Sequence, residues 1–355
     1  MRPKIKNPSP ARLPLAIDSG AYSLYMRHGA QKDEHGKLTR TIASADHSYA
    51  STPEFMRYFE DYMAFLKVHG KRLVYCVALD VIGNPERTWE LYQEMRRQGL
   101  DVLPVVHFGE NMKYLKRYMG ETDYIGVGGL VKAGSGSGGQ KFQRDVWKTI
   151  SDEKGRPLVK IHAFGMASIS RLMMYPYYSV DSTTAFTWSR YGCMMMPVLS
   201  NRKGWEYAKG NPHIIAISPG RSKAAGHANR YRIEGYEEKA LQSYCELLGL
   251  TRQQLDEEYG ARDIANLFFM NSVLKELAEK HGRKLGMNID MLYYASGNFS
   301  STLDIFNQGL AHLKKLGALK HLAYLGTFDA INPLQRVFRD WFAVEFETAG
   351  GGKHL

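Results

Sequence analysis

Cysteine is scarce in this chain, with three in 355 residues at Cys76, Cys193 and Cys245. None sits in a CxxC pair, which argues against a disulfide framework and against a cysteine-rich zinc site. A reducing, cytoplasmic setting is the expectation. No apolar run approaches the roughly 18 residues that would suggest a membrane span. The opening MRPKIKNPSPARLP is basic but has no apolar h-region, so no secretory signal is read there. Histidine never occurs at HxH or HxxxH spacing, so no metal site is expected and no cofactor is assigned. The glycine-rich AGSGSGGQ (133–140) lacks the Lys-Ser/Thr ending of a P-loop. It reads as a flexible loop, either a lid, a backbone contact to phosphate or a plain linker.

Acidic residues are also in deficit: 36 Asp and Glu face 47 Lys and Arg, for a net charge of +11. The excess is concentrated in residues 201–232, which hold Arg202, Lys203, Lys209, Arg221, Lys223, Arg230 and Arg232 against Glu206 alone. Such a segment is either a solvated basic surface or the footprint of a polyanion, most often nucleic acid. Composition is otherwise that of a globular protein, 44% hydrophobic and 23% charged.

Short apolar runs recur along the chain and end in polar, glycine or acidic residues: LPLAIDSG, RLVYCVALD, DVLPVVHFG, DYIGVGGL, LVKIHAFG, YYSVDS, CMMMPVLS and HIIAISPG. Amphipathic stretches lie between the earlier ones. NPERTWELYQEMRRQG opens on an N-cap and first-turn pair, Asn84 and Pro85, and stops at Gly99. Buried strands alternating with helices imply βαβ units and parallel pairing. Eight runs suggest an α/β fold of the (β/α)8, TIM-like barrel type with a helical insertion or C-terminal appendage; an open doubly wound sheet is the alternative. The expected division is a catalytic barrel core over 1–235, a helical insertion over 236–285, and a strand and helix segment over 286–355 that completes or flanks the barrel.

In a parallel barrel the active site lies at the C-terminal ends of the strands. Asp18 and Ser19 follow the first run, Asp80 the second, and His107 ends the third. Gly128 and Gly129 end the fourth, His162 lies late in the fifth, and Asp181 ends the sixth. Any one of these reads equally as a cap or a satisfied polar group, and Asp181 in particular could cap the turn or helix that follows it. Together they suggest two working carboxylates, backbone glycines and an aromatic, Tyr22, arranged for chemistry at an anomeric carbon. Metal binding is the competing use of Asp and His.

Several of these stretches resemble the tRNA-guanine transglycosylase superfamily. DSGAY (18–22) is similar to its DSGGF/Y motif, GVGGLVKAG (126–134) to its GGLAxGE loop, and HAFGMASISRLMMYPYYSVDST to the stretch that leads to its nucleophilic Asp. The resemblance covers about residues 15–190 and is nearest to phage-type DNA-guanine transglycosylases, which exchange guanine in DNA for a 7-deazaguanine base. It implies Asp181 as nucleophile and Asp18 as general acid/base. Asp80 and His107 would read the base, Gly128 and Gly129 would offer backbone contacts, and Tyr22 and His162 would stack, with Ser19 counted among the substrate contacts. The CxCxxC…H zinc site of the tRNA enzymes has no counterpart, only Cys193 being near, and the Glu of the glycine loop is absent. The implied partners are DNA and the free base (7-cyano-7-deazaguanine, for example); from the charge pattern, not the resemblance, Arg202, Lys203, Arg221, Lys223, Arg230 and Arg232 are the candidate grip on DNA. No membrane partner is expected and the oligomeric state is left open. Base exchange in tRNA, a non-catalytic DNA-binding barrel and an unrelated sugar-processing or metal-dependent barrel are the other readings.

Overall fold

A computed structural model of the protein describes residues 15–29, 47–130, 137–200, 204–210, 212–218, 236–296 and 309–328. These fall into two compact units, one holding 16–102 with 326–328, the other 103–296 with 309–325 and Leu15.

The smaller unit opens on strand β1 (Leu15–Asp18), whose first three residues are buried. Its neighbour RLVYCVALD is not a regular strand: Ile17 and Cys76 form one parallel bridge, with Val77 N–H donating to Ile17 O at 2.9 Å. Ile17 N–H also donates to Tyr75 O at 3.2 Å, and side chains take backbone groups beyond. The Tyr62 hydroxyl donates to Val77 O at 2.7 Å, and Val81 N–H donates to the Thr88 hydroxyl at 2.9 Å. Two helices cover this segment. Pro53–His69 begins where Thr52 accepts from Phe55 N–H, with Pro53 in the first turn, and it buries Phe55, Phe59, Tyr62 and Leu66 along one stripe. Pro85–Arg97 begins as its sequence indicates, with Asn84 accepting from Arg87 N–H at 3.1 Å.

The larger unit is built on parallel strands β2 (Val105–His107), β3 (Tyr124–Gly128), β4 (Lys160–Ala163) and β5 (Ser179–Ser182). Helices Met112–Met119, Ser137–Ile150 and Ile169–Met174 connect them. Residues 137–140, expected in a glycine loop, are the first turn of the second of these helices, while 131–136 lie outside the described residues.

After β5 the expected succession breaks. CMMM and HIIA do not join the parallel sheet. As β6 (Cys193–Met196) and β9 (His213–Ala216) they pair antiparallel with each other, and β7 (Val198–Ser200) and β8 (Gly204–Glu206) form a second antiparallel pair between them. The strands that follow β5 in the sheet are β10 (Leu292–Ser296) and β11 (Leu322–Thr327), giving the order β11-β10-β5-β4-β3-β2 in this unit. The result is a mixed α/β architecture around a curled parallel sheet. It is not the closed eight-stranded barrel expected.

Helices Tyr236–Leu248, Arg252–Glu257 and Tyr259–Leu285 form the helix-rich segment. Leu241, Tyr244 and Leu248 pack with Met194, Met196 and Ile215 of the β6–β9 pair into a core of their own. Polar residues fix the join: buried Asn266 accepts from Met195 N–H at 2.7 Å and donates to Ala185 O at 2.9 Å. Buried Arg262 donates to Ser189 O at 3.0 Å. Among the described residues no helix is long and apolar enough to cross a membrane.

Candidate active site

His107, Gly128 and Asp181 lie towards the C-terminal ends of β2, β3 and β5, while His162 on β4 pairs with Gly126 and Ser179. His107 and Gly128 are register partners at the ends of β2 and β3, and Asp181 on β5 stands opposite Tyr294 on β10. Asp181 is 8% exposed. It does not cap the following helix. The first amide of that helix is taken by Ser182, whose hydroxyl accepts from Thr184 N–H at 3.0 Å, and Thr183 at the cap position makes no side-chain cap bond. Asp181 is instead held from β4 and β10. Its Oδ1 accepts from Gly165 N–H at 2.8 Å and lies 3.4 Å from His162 Nε2. Its Oδ2 is 3.4 Å from the Ser296 hydroxyl. Gly165 has φ +67°, a left-handed conformation that glycine adopts at little cost and that aims its amide at the carboxylate. Among the described residues one oxygen is thus anchored, and the other has a single long contact.

His162 is fully buried. Its Nδ1 lies 2.6 Å from the Ser179 hydroxyl, which is also 2.6 Å from the Tyr124 hydroxyl. The Phe164 ring packs edge-on against the imidazole, centroids 4.3 Å apart. The resemblance gives His162 a stacking role, yet the partly exposed aromatic here is Phe164. Around Asp181 the phenols of Tyr124 and Tyr293 are pushed above their ordinary range, chiefly by burial and further by the Asp181 charge. They therefore stay protonated as donors, and Tyr293 donates to Ser182 O at 2.8 Å.

The glycines of YIGVGG make room for side chains. A Cβ on Gly128 would stand 2.6 Å from His107 Nδ1, and one on Gly126 would stand 2.7 Å from Phe164 Cε2. So Gly128 seats the His107 ring and Gly126 seats the ring that packs on His162. Glu110 ties off the end of β2, accepting from His107 N–H at 3.1 Å. Phe108, 38% exposed, follows His107 on the same edge.

In the smaller unit, the charges of Asp18 and Asp80 both bear on the Tyr62 phenol. Burial pushes the Tyr62 phenol well up, and the charges of Cys76, Asp18 and Asp80 are among the groups that push it further. Asp80 and Ser19 are buried, while Tyr22 is 53% exposed. Gly20, at φ +80°, turns the chain from β1 into the short helix Ala21–Leu24, and Tyr58 donates to Ser19 O at 2.6 Å.

Arg202, Lys203, Arg221, Lys223, Arg230 and Arg232 lie outside the described residues. Among the described residues no group of three or more His, Cys, Asp or Glu side chains is arranged to hold a metal ion. Sequence reasoning missed Ser179, Tyr124, Phe164, Gly165 and Ser296. The period-2 placement of Ser179 and Asp181 on one strand, and the HAFG turn, were the available signals. Compared with protein-family models, curated proteins and solved structures, the chain matches none.

Proposed function

We propose that the protein is a base-exchange transglycosylase that replaces guanine in DNA with a 7-deazaguanine base through a covalent link between Asp181 and the sugar. The observation that carries this reading is the asymmetric hold on Asp181: among the described residues, Oδ1 is bound by Gly165 N–H at 2.8 Å, while Oδ2 meets the Ser296 hydroxyl at 3.4 Å. A capping carboxylate would bond the next helix; this one sits on a rigid strand end with one oxygen available for attack.

In the reaction Oδ2 attacks C1′ as the bond to guanine N9 breaks, and the electron pair leaves with the base. Asp18 supplies the proton the departing guanine needs. In the second half the incoming base attacks C1′, Asp18 takes up its proton, and Asp181 leaves as a carboxylate. Gly165 N–H favours that leaving group because it stabilises charge on Oδ1. Asp80 and His107 are assigned to the base edge and Tyr22 to stacking. An enzyme acting on a base must draw it from the stack, and the basic 201–232 segment holds the backbone.

The test is incorporation of labelled guanine into duplex DNA or tRNA offered in parallel. Label in DNA supports the reading, label only in tRNA transfers the chemistry to tRNA, and label in neither refutes base exchange.

A further inference from the structure

The groups behind Asp181 form a line whose donor and acceptor roles are fixed at one end. Burial holds the Tyr124 phenol well above its ordinary pKa, so it is a neutral hydroxyl. Its oxygen is 2.6 Å from Ser179 Oγ, and Ser179 Oγ is 2.6 Å from His162 Nδ1. At the far end the acceptor is a carboxylate, which has no proton to give when ionised. Hydroxyls can donate and accept in turn, and a neutral imidazole donates from one nitrogen and accepts at the other. One arrangement lets both middle members, Ser179 and His162, accept and donate and ends with a proton facing the carboxylate. Tyr124 donates to Ser179, Ser179 donates to His162 Nδ1, and Nε2–H faces Asp181 Oδ1 at 3.4 Å. The ring has little freedom to turn away, because Phe164 stands against its face at 4.3 Å and Tyr294 at 5.8 Å between centroids.

We infer that Tyr124 and Ser179 are positioning residues that hold His162 as a neutral Nε2–H donor, so that its ring presents a proton to Asp181 Oδ1 and leaves Oδ2 for attack. The inference rests on the reading of Asp181 as nucleophile and deepens it. His162 is then no stacking surface for a base; it orients the carboxylate and steadies it as it departs. Ser179 does this from the same face of the same strand, two residues before Asp181, where side chains of a β-strand point alike. The line runs across β3, β4 and β5, so three rigid elements fix one carboxylate.

The experiment labels histidine nitrogens and aspartate carboxyl carbons in the full chain, with His162→Gln and Asp181→Asn assigning the signals. In the wild type the His162 spectrum should show a bare, accepting Nδ1 and a protonated Nε2. In Ser179→Ala, the loss of the hydroxyl that donates to Nδ1 should let the proton distribute over both nitrogens, and the Asp181 Cγ signal should move with it. Tyr124→Phe, which keeps Ser179, should produce the same change at smaller amplitude, and it guards against misfolding of the first variant. On DNA, Ser179→Ala should slow formation of the Asp181–sugar adduct about tenfold with DNA affinity unchanged, a split that general loosening would not give. A wild-type imidazole protonated on Nδ1, or a Ser179→Ala spectrum identical to wild type, overturns the inference. So does an altered tautomer with an unaltered Asp181 signal. If the wild type forms no adduct on any nucleic acid, transglycosylation is refuted, and the nitrogen and carbon signals still decide how Asp181 is held.

Discussion

Gly126→Ala isolates the contact chain behind the proposed nucleophile. Gly126 lies inside β3 with its Cα paired to that of His162 across the sheet. A Cβ there would stand 2.7 Å from Phe164 Cε2, 3.3 Å from Pro104 O and 3.3 Å from Val105 Cγ2. Carbon pairs are most favourable at about 3.5–4.0 Å, so the Phe164 ring must recede by about 1 Å. Overpacking of this kind costs about 1–3 kcal/mol, and replacing glycine by alanine returns about 0.4–1 kcal/mol of unfolded-chain entropy. The net loss is about 1–2 kcal/mol, which for a unit of roughly 200 residues lowers Tm by about 2–8 °C. The displaced ring packs on His162 at 4.3 Å between centroids. Its shift should therefore also change the His162 nitrogen signals and slow any chemistry at Asp181. Calorimetry of Gly126→Ala, Phe164→Leu and the double variant measures this. The smaller leucine should relieve the alanine, giving a coupling of at least about 0.5 kcal/mol. Strict additivity, or a Gly126→Ala protein as stable as the wild type, would refute the packing argument.

Burial pushes the Asp263 carboxyl up to about 6 although Arg190 lies 3.3 Å away. A raised folded-state pKa contributes stability that is complete below the unfolded value of about 3.9 and is lost as pH rises through about 6, in all about 3 kcal/mol. Asp263→Asn should flatten that part of the pH–stability curve, and an unaltered curve would contradict the assignment. For the basic segment, replacing Arg221 and Lys223 by Ala should lower the slope of log affinity against log salt on duplex DNA by about 2 and weaken binding on all sequences alike. An unchanged slope would return the segment to the status of a solvated surface.

Much of the frame was legible because it rests on local chemistry. Asn84-Pro85 writes the start of a helix, and the apolar runs ending in His107, Gly128 and Asp181 are strands that end near those residues. What was not legible is what depends on partners distant in sequence. CMMM and HIIA are buried apolar four-residue runs that carry no signal of direction, and they pair antiparallel in a sheet of their own. RLVYCVALD reads as a strand, but beyond its single bridge to Ile17 the Tyr62 hydroxyl takes Val77 O, and just past the run Thr88 takes Val81 N–H. The glycines of YIGVGG looked like base contacts. Their packing duty towards His107 and Phe164 follows only from neighbouring strands. Tyr124 and Ser179 are separated by 55 positions, and nothing in either stretch announces their meeting.

The central claim is that Asp181 is a nucleophile. Its most direct test is to react the protein with guanine-containing DNA, quench, and digest it to isolate the 172–190 peptide that carries Asp181. The account predicts a deoxyribose ester on that peptide in one-to-one amount with released guanine, and neither product from Asp181→Asn, which should still bind DNA. Guanine release by Asp181→Asn at the wild-type rate, or an adduct mapped to another residue, would contradict it.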